Sequence, residues 1–277
     1  MKNIMKEEIT ASERSITSDV VFGHVMSKPE NCLRLLQLVV PELNIQKVHD
    51  VHKQHVIDEG LKEKSVRLDI YAQDDQGRLF DIEMQVVRQQ DIGKRIRYYQ
   101  AQMDKDSLSR GKHYYDLNDS YIIFLCPYDP FYHGRSRYEF SIREDHYHDI
   151  KLETGSHLIF LNSKGKDCNQ NKGLQQFFDF MNGIINESDT FIAHLNSDID
   201  AYVGSGQWRL DKMKLTTELQ DSERKGERKG IIQALKDSVE MMRELGNADT
   251  AIFDKLRKKY HSQFSDEEIR KLMAQAK

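Results

Sequence analysis

The 277-residue chain has little cysteine, no excess of positive charge and no long apolar run, and each shortage excludes something. Its three cysteines, Cys32, Cys126 and Cys168, lie far apart with no C-x-x-C pair. That spacing argues against a disulfide framework and a thiolate zinc site, and it suits a reducing cytoplasm. A formal net charge of -4 is not that of a bulk-basic nucleic-acid binder, so any phosphate contact has to come from local patches. The longest apolar run, YIIFLC at 121–126, is too short to cross a bilayer, and the opening MKNIMKEEITAS lacks the apolar segment of a secretory signal. The expectation is a soluble, cytoplasmic protein with no membrane association.

What is present is enough apolar material, 38% of residues, for the core of one good-sized domain and an appendage. SDVVFGHVMSKPENCLRLLQLVVPEL predicts two short helices, with Ser18 or Asp19 as N-cap and Pro29 and Pro41 as interruptions. In VRLDIYAQDDQGRLFDIEMQVV, residues 66–87, Val66, Leu68, Ile70 and Ala72 alternate with polar neighbours, as do Ile82, Met84 and Val86. Period two predicts two half-buried strands, joined at QDDQG, where Gly77 can take a positive φ. Ile92, Ile96, Tyr99 and Met103 then recur at helical spacing, predicting a helix to about Arg110 with Gly111 as its stop and Tyr99 in the core. YIIFLC and HLIFLN, the second from His157, read as buried strands, and Gly173 to about Tyr202 as helices.

These elements predict a tail at 1–14, a main domain at 15–205, a charged linker or solvated helix at 206–230 around DSERKGERKG, and a small helical region at 231–277. About three short helices are expected in that last region, the final one opening with Ser265 and Glu268 at capping-box spacing.

Within the hairpin, Asp69 and Glu83 are equidistant from residue 76 in the turn, so an antiparallel register sets them opposite each other. Directly opposed side chains have Cβ atoms about 5 Å apart, and like charges there are destabilising. The period adds Asp81 and Gln85 to the same face. Two readings stand. The carboxylates are either the polar side of an exposed hairpin or the seat of a hard cation such as magnesium, which binds through one or two carboxylates and keeps several waters.

The order Asp69, then Glu83-Met84-Gln85 on the next strand, resembles the PD-(D/E)xK nuclease signature. More closely, VRLDIYAQDDQGRLFDIEMQ, KRIRYYQAQMD, SYIIFLCPYDPF and IFLNSKG resemble the Rpn family, the recombination-promoting nucleases also described as PD-(D/E)xK nuclease family transposases. The likeness runs from SDVVFGHVM near residue 18 to about residue 185. It implies an α/β (α+β) fold, a mixed sheet flanked by helices, and a divalent-metal-dependent endonuclease acting on DNA with magnesium or manganese and no organic cofactor. Asp69 and Glu83 match the metal-binding carboxylates, with the Met84 backbone carbonyl as a further ligand. Gln85 takes the place of the superfamily's lysine, as it does in the Rpn-type IEMQ pattern. Asp19 matches the acidic residue that opens the Rpn pattern, and either supplies a third carboxylate or simply caps its helix.

A glutamine can orient a nucleophile by hydrogen bonding but brings no charge, so the positive charge has to come from the metal or from Lys94, Arg95 or Arg97. Those three cations are expected either to contact phosphate or to form a solvated helix surface. SRGKHYY at 109–115 and KLRKKYH at 255–261 could extend a path along a DNA backbone, with little sequence preference. His49, His52 and His55, and His146 with His148, read as surface residues. Alongside the nuclease stand a catalytically weak DNA-binding protein that keeps the fold, and a protein-interaction module carried by the C-terminal helices. A homodimer is compatible with any of them.

Overall fold

The computed structural model describes residues 9–57, 66–108, 111–168 and 171–276. Helices α1 (Asp19–Met26) and α2 (Pro29–Val39) come first, followed by strands β1 (Val48–Ile57), β2 (Val66–Asp74) and β3 (Leu79–Met84). Helix α3 (Ile92–Ser107) leads to β4 (Ser120–Cys126), β5 (Arg137–Phe140) and β6 (Ser156–Asn162). Helices α4 (Lys172–Met181), α5 (Thr190–Val203), α6 (Gly206–Glu244), α7 (Asp249–Tyr260) and α8 (Asp266–Gln275) complete the order.

The strands form one mixed sheet in the order β1-β2-β3-β4-β6-β5. β3, β4 and β6 run parallel, while the pairs β1–β2, β2–β3 and β5–β6 are antiparallel. Helices α1, α2, α4 and α5 share one apolar core with Ile70, Ile82 and Met84. On the other face, α3 lays Ile92, Ile96, Tyr99 and Met103 over Leu79, Ile122, Phe124 and Phe160. This is the α/β fold with flanking helices that the motifs imply.

The hairpin turn at 74–79 follows the predicted geometry. Ile70 pairs with Ile82 and Tyr71 with Asp81, the ladder ending one residue short of Asp69 and Glu83, and Gly77 takes φ +80°. The expectation of a half-buried β3 is corrected: all six of its residues are buried, because β4 pairs with it in parallel and helices cover both faces. Two strands went unpredicted. β1 carries the histidines 49, 52 and 55, whose spacing gave no apolar alternation, and β5 is a four-residue edge strand. α3 ends at Ser107, before the expected Arg110, which lies outside the described residues; Gly111 has φ +90° but closes no helix. Ser18, not Asp19, is the N-cap of α1, and Asp19 is its first helical residue.

The chain divides into two compact units, Met1–Leu210 and Asp211–Lys277. In the second, the charged stretch and the segment after it form a single helix, α6, so two short helices follow where about three were expected. Its core joins Leu235 and Val239 of α6 to Ile252, Leu256, Ile269 and Met273. The capping box of α8 is formed: Ser265 N donates to Glu268 Oε2 at 2.9 Å and Glu268 N to Ser265 Oγ at 3.3 Å.

Candidate active site

At the end of the β2–β3 ladder the two carboxylates take over from the backbone. The last ladder pair recorded is Ile70 with Ile82. Beyond it Asp69 N donates to Glu83 Oε1 at 3.0 Å, and Met84 N donates to Asp69 Oδ2 at 3.2 Å. Each acid thus accepts an N–H from the opposite strand. This reciprocal pair fixes both carboxylates while Gln85 N donates to Leu125 O at 2.9 Å and continues the pairing with β4.

Arg95, one turn into α3, closes the site from above the sheet. Its Nη2 donates to Glu83 Oε2 at 3.1 Å and to Gln85 Oε1 at 2.9 Å, and its Nη1 to Gln89 Oε1 at 2.6 Å. The guanidinium lies 5.3 Å from the Tyr99 ring centre and 5.5 Å from that of Phe124, which shields it from water and strengthens its field. The helix stripe that buries Ile92, Ile96 and Tyr99 therefore aims Arg95 inward, whereas Lys94 and Arg97 are exposed. Gln85 is anchored at both ends of its amide, since its Nε2 also donates to Val87 O.

Asp81 lies under this cluster and is wholly inaccessible; its buried oxygens meet no backbone or cationic donor, and their polar neighbour is the Glu83 carboxyl. Burial, reinforced by the charges of Glu83 and Asp69, pushes its carboxyl well above the usual range. Burial, then the charge of Asp69, likewise raises Glu83 to about 8, against the opposing pull of the Asp69 N–H and Arg95. Tyr99 is also raised, by burial first and then by Glu83. Three carboxyl groups are thus gathered in a space where ionising all of them is unfavourable without a further cation.

The structure brings together Asp69, Glu83, Gln85 and Arg95 of the predicted residues. Asp19 is not among the main charges felt by Glu83, and the acid that stands beside the pair is Asp81. Sequence alternation placed Asp81 on the right face. What the sequence did not reveal was that α3 covers that face. Among the described residues no set of three or more His, Cys, Asp or Glu side chains is arranged to hold a metal ion. The pair Asp69 and Glu83 nevertheless suits a hard divalent cation that keeps several waters, since both are oxygen donors and a third carboxyl group, Asp81, stands beside them.

The sequence model of the PD-(D/E)XK nuclease family transposases matches residues 16–196, well over half of the chain, and the protein belongs to that family. No curated protein and no solved structure matches it. The family is one of nucleases, enzymes of a kind that typically uses divalent metals.

Proposed function

We propose that the protein is a divalent-metal-dependent DNA endonuclease whose active site is the Asp69–Glu83 pair. The observation that carries this reading is the reciprocal bonding of the two acids across the parting strands, with the buried carboxyl of Asp81 beneath them. A chain under selection for stability alone would not keep two buried carboxyl groups, Asp81 and Glu83, beside a third, half-buried one, Asp69. Asp69 and Glu83, with the Met84 backbone carbonyl, would hold magnesium or manganese. When bound, that ion supplies charge to polarise the scissile phosphate and to acidify the attacking water.

The remaining work falls to this chain's own groups. Arg95 sits where the missing lysine charge is needed, one hydrogen bond from both Glu83 and Gln85, and is the group best placed to stabilise negative charge on the phosphate. Gln85 relays that position and orients the nucleophile. Lys94 and Arg97 on the exposed side of α3 contact the DNA backbone, which gives salt-sensitive binding with little sequence preference. Asp19, at the start of α1, remains a proposed additional acid. The cellular setting proposed is the cytoplasm, in recombination, mobile-element movement or defence against foreign DNA, and a homodimer would let two sites address two strands.

One observation favours a second reading, a weak or silent nuclease that binds DNA. Gln85 uses one amide N–H on Val87 O and one lone pair of its amide oxygen on Arg95, so its orientation is set by these neighbours and not by a water. Conversion of supercoiled plasmid separates the two. The wild type is incubated with magnesium, with manganese and with EDTA, beside Asp69→Ala and Glu83→Ala. Cleavage that needs metal and both acids supports the endonuclease. Equal cleavage by wild type and both variants in a clean preparation would sink the assignment, and retention of DNA without any cleavage would leave the binding protein.

A further inference from the structure

β3 and β4 are parallel neighbours, so the loops after them leave the sheet at the same carboxyl-terminal edge, the side on which open α/β sheets bind ligands. The first loop carries Arg88 and the second, PYDPFYHG at 127–134, carries Tyr128 and Tyr132. The Arg88 guanidinium lies 4.7 Å from the centre of the Tyr128 ring and 4.1 Å from that of Tyr132. It is held there by backbone, with Nη2 donating to Asp129 O at 2.5 Å and Nη1 to Pro130 O at 3.5 Å. Among the described residues no carboxylate pairs with it. Tyr128 Oη ties the loops together by donating to Val87 O at 3.2 Å.

The second loop is built to present Tyr132. This tyrosine has φ +62°, a conformation uncommon for an aromatic residue, and is 77% exposed. The Asp129 carboxylate sustains the strain by accepting from Phe131 N at 3.1 Å, Tyr132 N at 3.0 Å and Gly134 N at 2.6 Å, and from Tyr138 Oη at 2.8 Å. Strain held in place by so many bonds, ending in an exposed ring, points to a use for that ring. Between the loops is a cavity of about 180 Å³ lined by Gln85, Arg88, Gln89, Gln90, Tyr128 and Phe131. Gln85 belongs both to this cavity and to the cluster around Glu83.

We propose that the Tyr128–Arg88–Tyr132 stack and its cavity form a subsite for one unpaired nucleobase of a DNA strand, next to the scissile phosphate. Its position beside that phosphate rests on the endonuclease reading above; base binding does not. The chemistry of the subsite is a planar cation against two tyrosine rings, an aromatic floor and amide groups that can meet the edge of a base. Such a platform takes any base with a free π-face, whereas bases stacked in a duplex offer none. The substrate class is therefore single-stranded, frayed or flipped-out DNA.

The test is fluorescence anisotropy of the full-length protein in EDTA with a labelled twelve-nucleotide thymidine strand and a duplex of equal length, which excludes cleavage from the readout. The wild type is expected to prefer the single strand, and Tyr132→Ala to weaken that binding roughly tenfold with little change for duplex. Tyr132→Phe, which keeps the ring, should bind like wild type, and a 2-aminopurine in the strand should be quenched by wild type and by Tyr132→Phe but not by Tyr132→Ala. Unchanged single-strand binding by Tyr132→Ala would overturn the subsite. So would equal losses for single strand and duplex, which mark a phosphate contact, or no DNA binding at all. If Tyr132-dependent binding persists in a protein that cleaves no plasmid, the subsite stands and the endonuclease reading alone fails.

Discussion

The two sides of β3 are buried to nearly the same depth and do opposite things. Phe80, Ile82 and Met84 point into the core under α1, α2, α4 and α5, whereas Asp81, Glu83 and Gln85 point under α3. All six are less than a tenth exposed. On the first side burial releases apolar surface from water and stabilises the fold. On the second it raises the carboxyl groups away from their ordinary ionisation and opposes folding. Burial alone therefore says nothing about purpose; what matters is whether the buried group is content there. Removing side chains from each side should separate stability from activity.

The largest effect is expected on the charged side. Asp69→Ala should reduce metal-dependent plasmid cleavage to background while the urea midpoint of the protein moves little. A variant that unfolds instead would turn the reciprocal bonds to Glu83 and Met84 into a structural clasp. On the apolar side, Ile82→Ala should remove about 2–5 kcal/mol of stability by the lost burial and the cavity left behind. Its cleavage per folded molecule should equal that of wild type below the unfolding transition. Cleavage falling in step with Asp69→Ala would show that the two sides are not separable.

The same contrast explains what could be seen in the sequence. The register of the hairpin, Ile70 against Ile82 and Tyr71 against Asp81, was legible because a tight turn leaves few ways to pair two alternating strands, and Gly77 marked that turn. Arg95 was visible only as one of three neighbouring cations. Its selection over Lys94 and Arg97 depends on how α3 rolls on the sheet, which its apolar stripe determines in three dimensions. Asp81 was placed on the right face but its burial was not, since a polar residue in an alternating strand usually faces water. β1 escaped because its sequence, VHDVHKQHVI, lacks regular alternation and is recruited by pairing with β2. The Arg88 stack was out of reach for a different reason: Arg88 lies 40 and 44 residues before the two tyrosines, on another loop that the parallel pairing of β3 and β4 brings to the same edge.

A pH comparison sharpens the contrast next. With Glu83 raised to about 8, the folded chain holds a proton that the unfolded chain has released above the usual glutamate value of about 4.3. Over that window the folded state binds more protons, so this group's contribution to stability is fully present below about 4.3 and is lost as pH rises through 8. In EDTA the wild type should lose stability between pH 5 and pH 8.5 more steeply than Glu83→Gln, whose side chain cannot ionise. Parallel urea midpoints for the two proteins across that range would show that Glu83 titrates normally. Saturating magnesium should stabilise the wild type more at pH 8.5 than at pH 5, because the cation requires the ionised acid.

The smallest and most revealing change is Asp81→Leu. Both oxygens of Asp81 are buried with no backbone or cationic donor, so an apolar side chain of similar size removes a poorly satisfied polar group. In EDTA at pH 8 the variant should be more stable than wild type by about 1–3 kcal/mol, measured by urea unfolding. A stabilising replacement in a buried cluster is what a functional site predicts, since there the native residue opposes the fold. The added stability should come with a smaller thermal shift on addition of magnesium, because the variant lacks the third carboxyl group that a bound cation would help to ionise. If Asp81→Leu is destabilised as Ile82→Ala is, then Asp81 is supported by partners in solution, and the two sides of β3 are energetically alike.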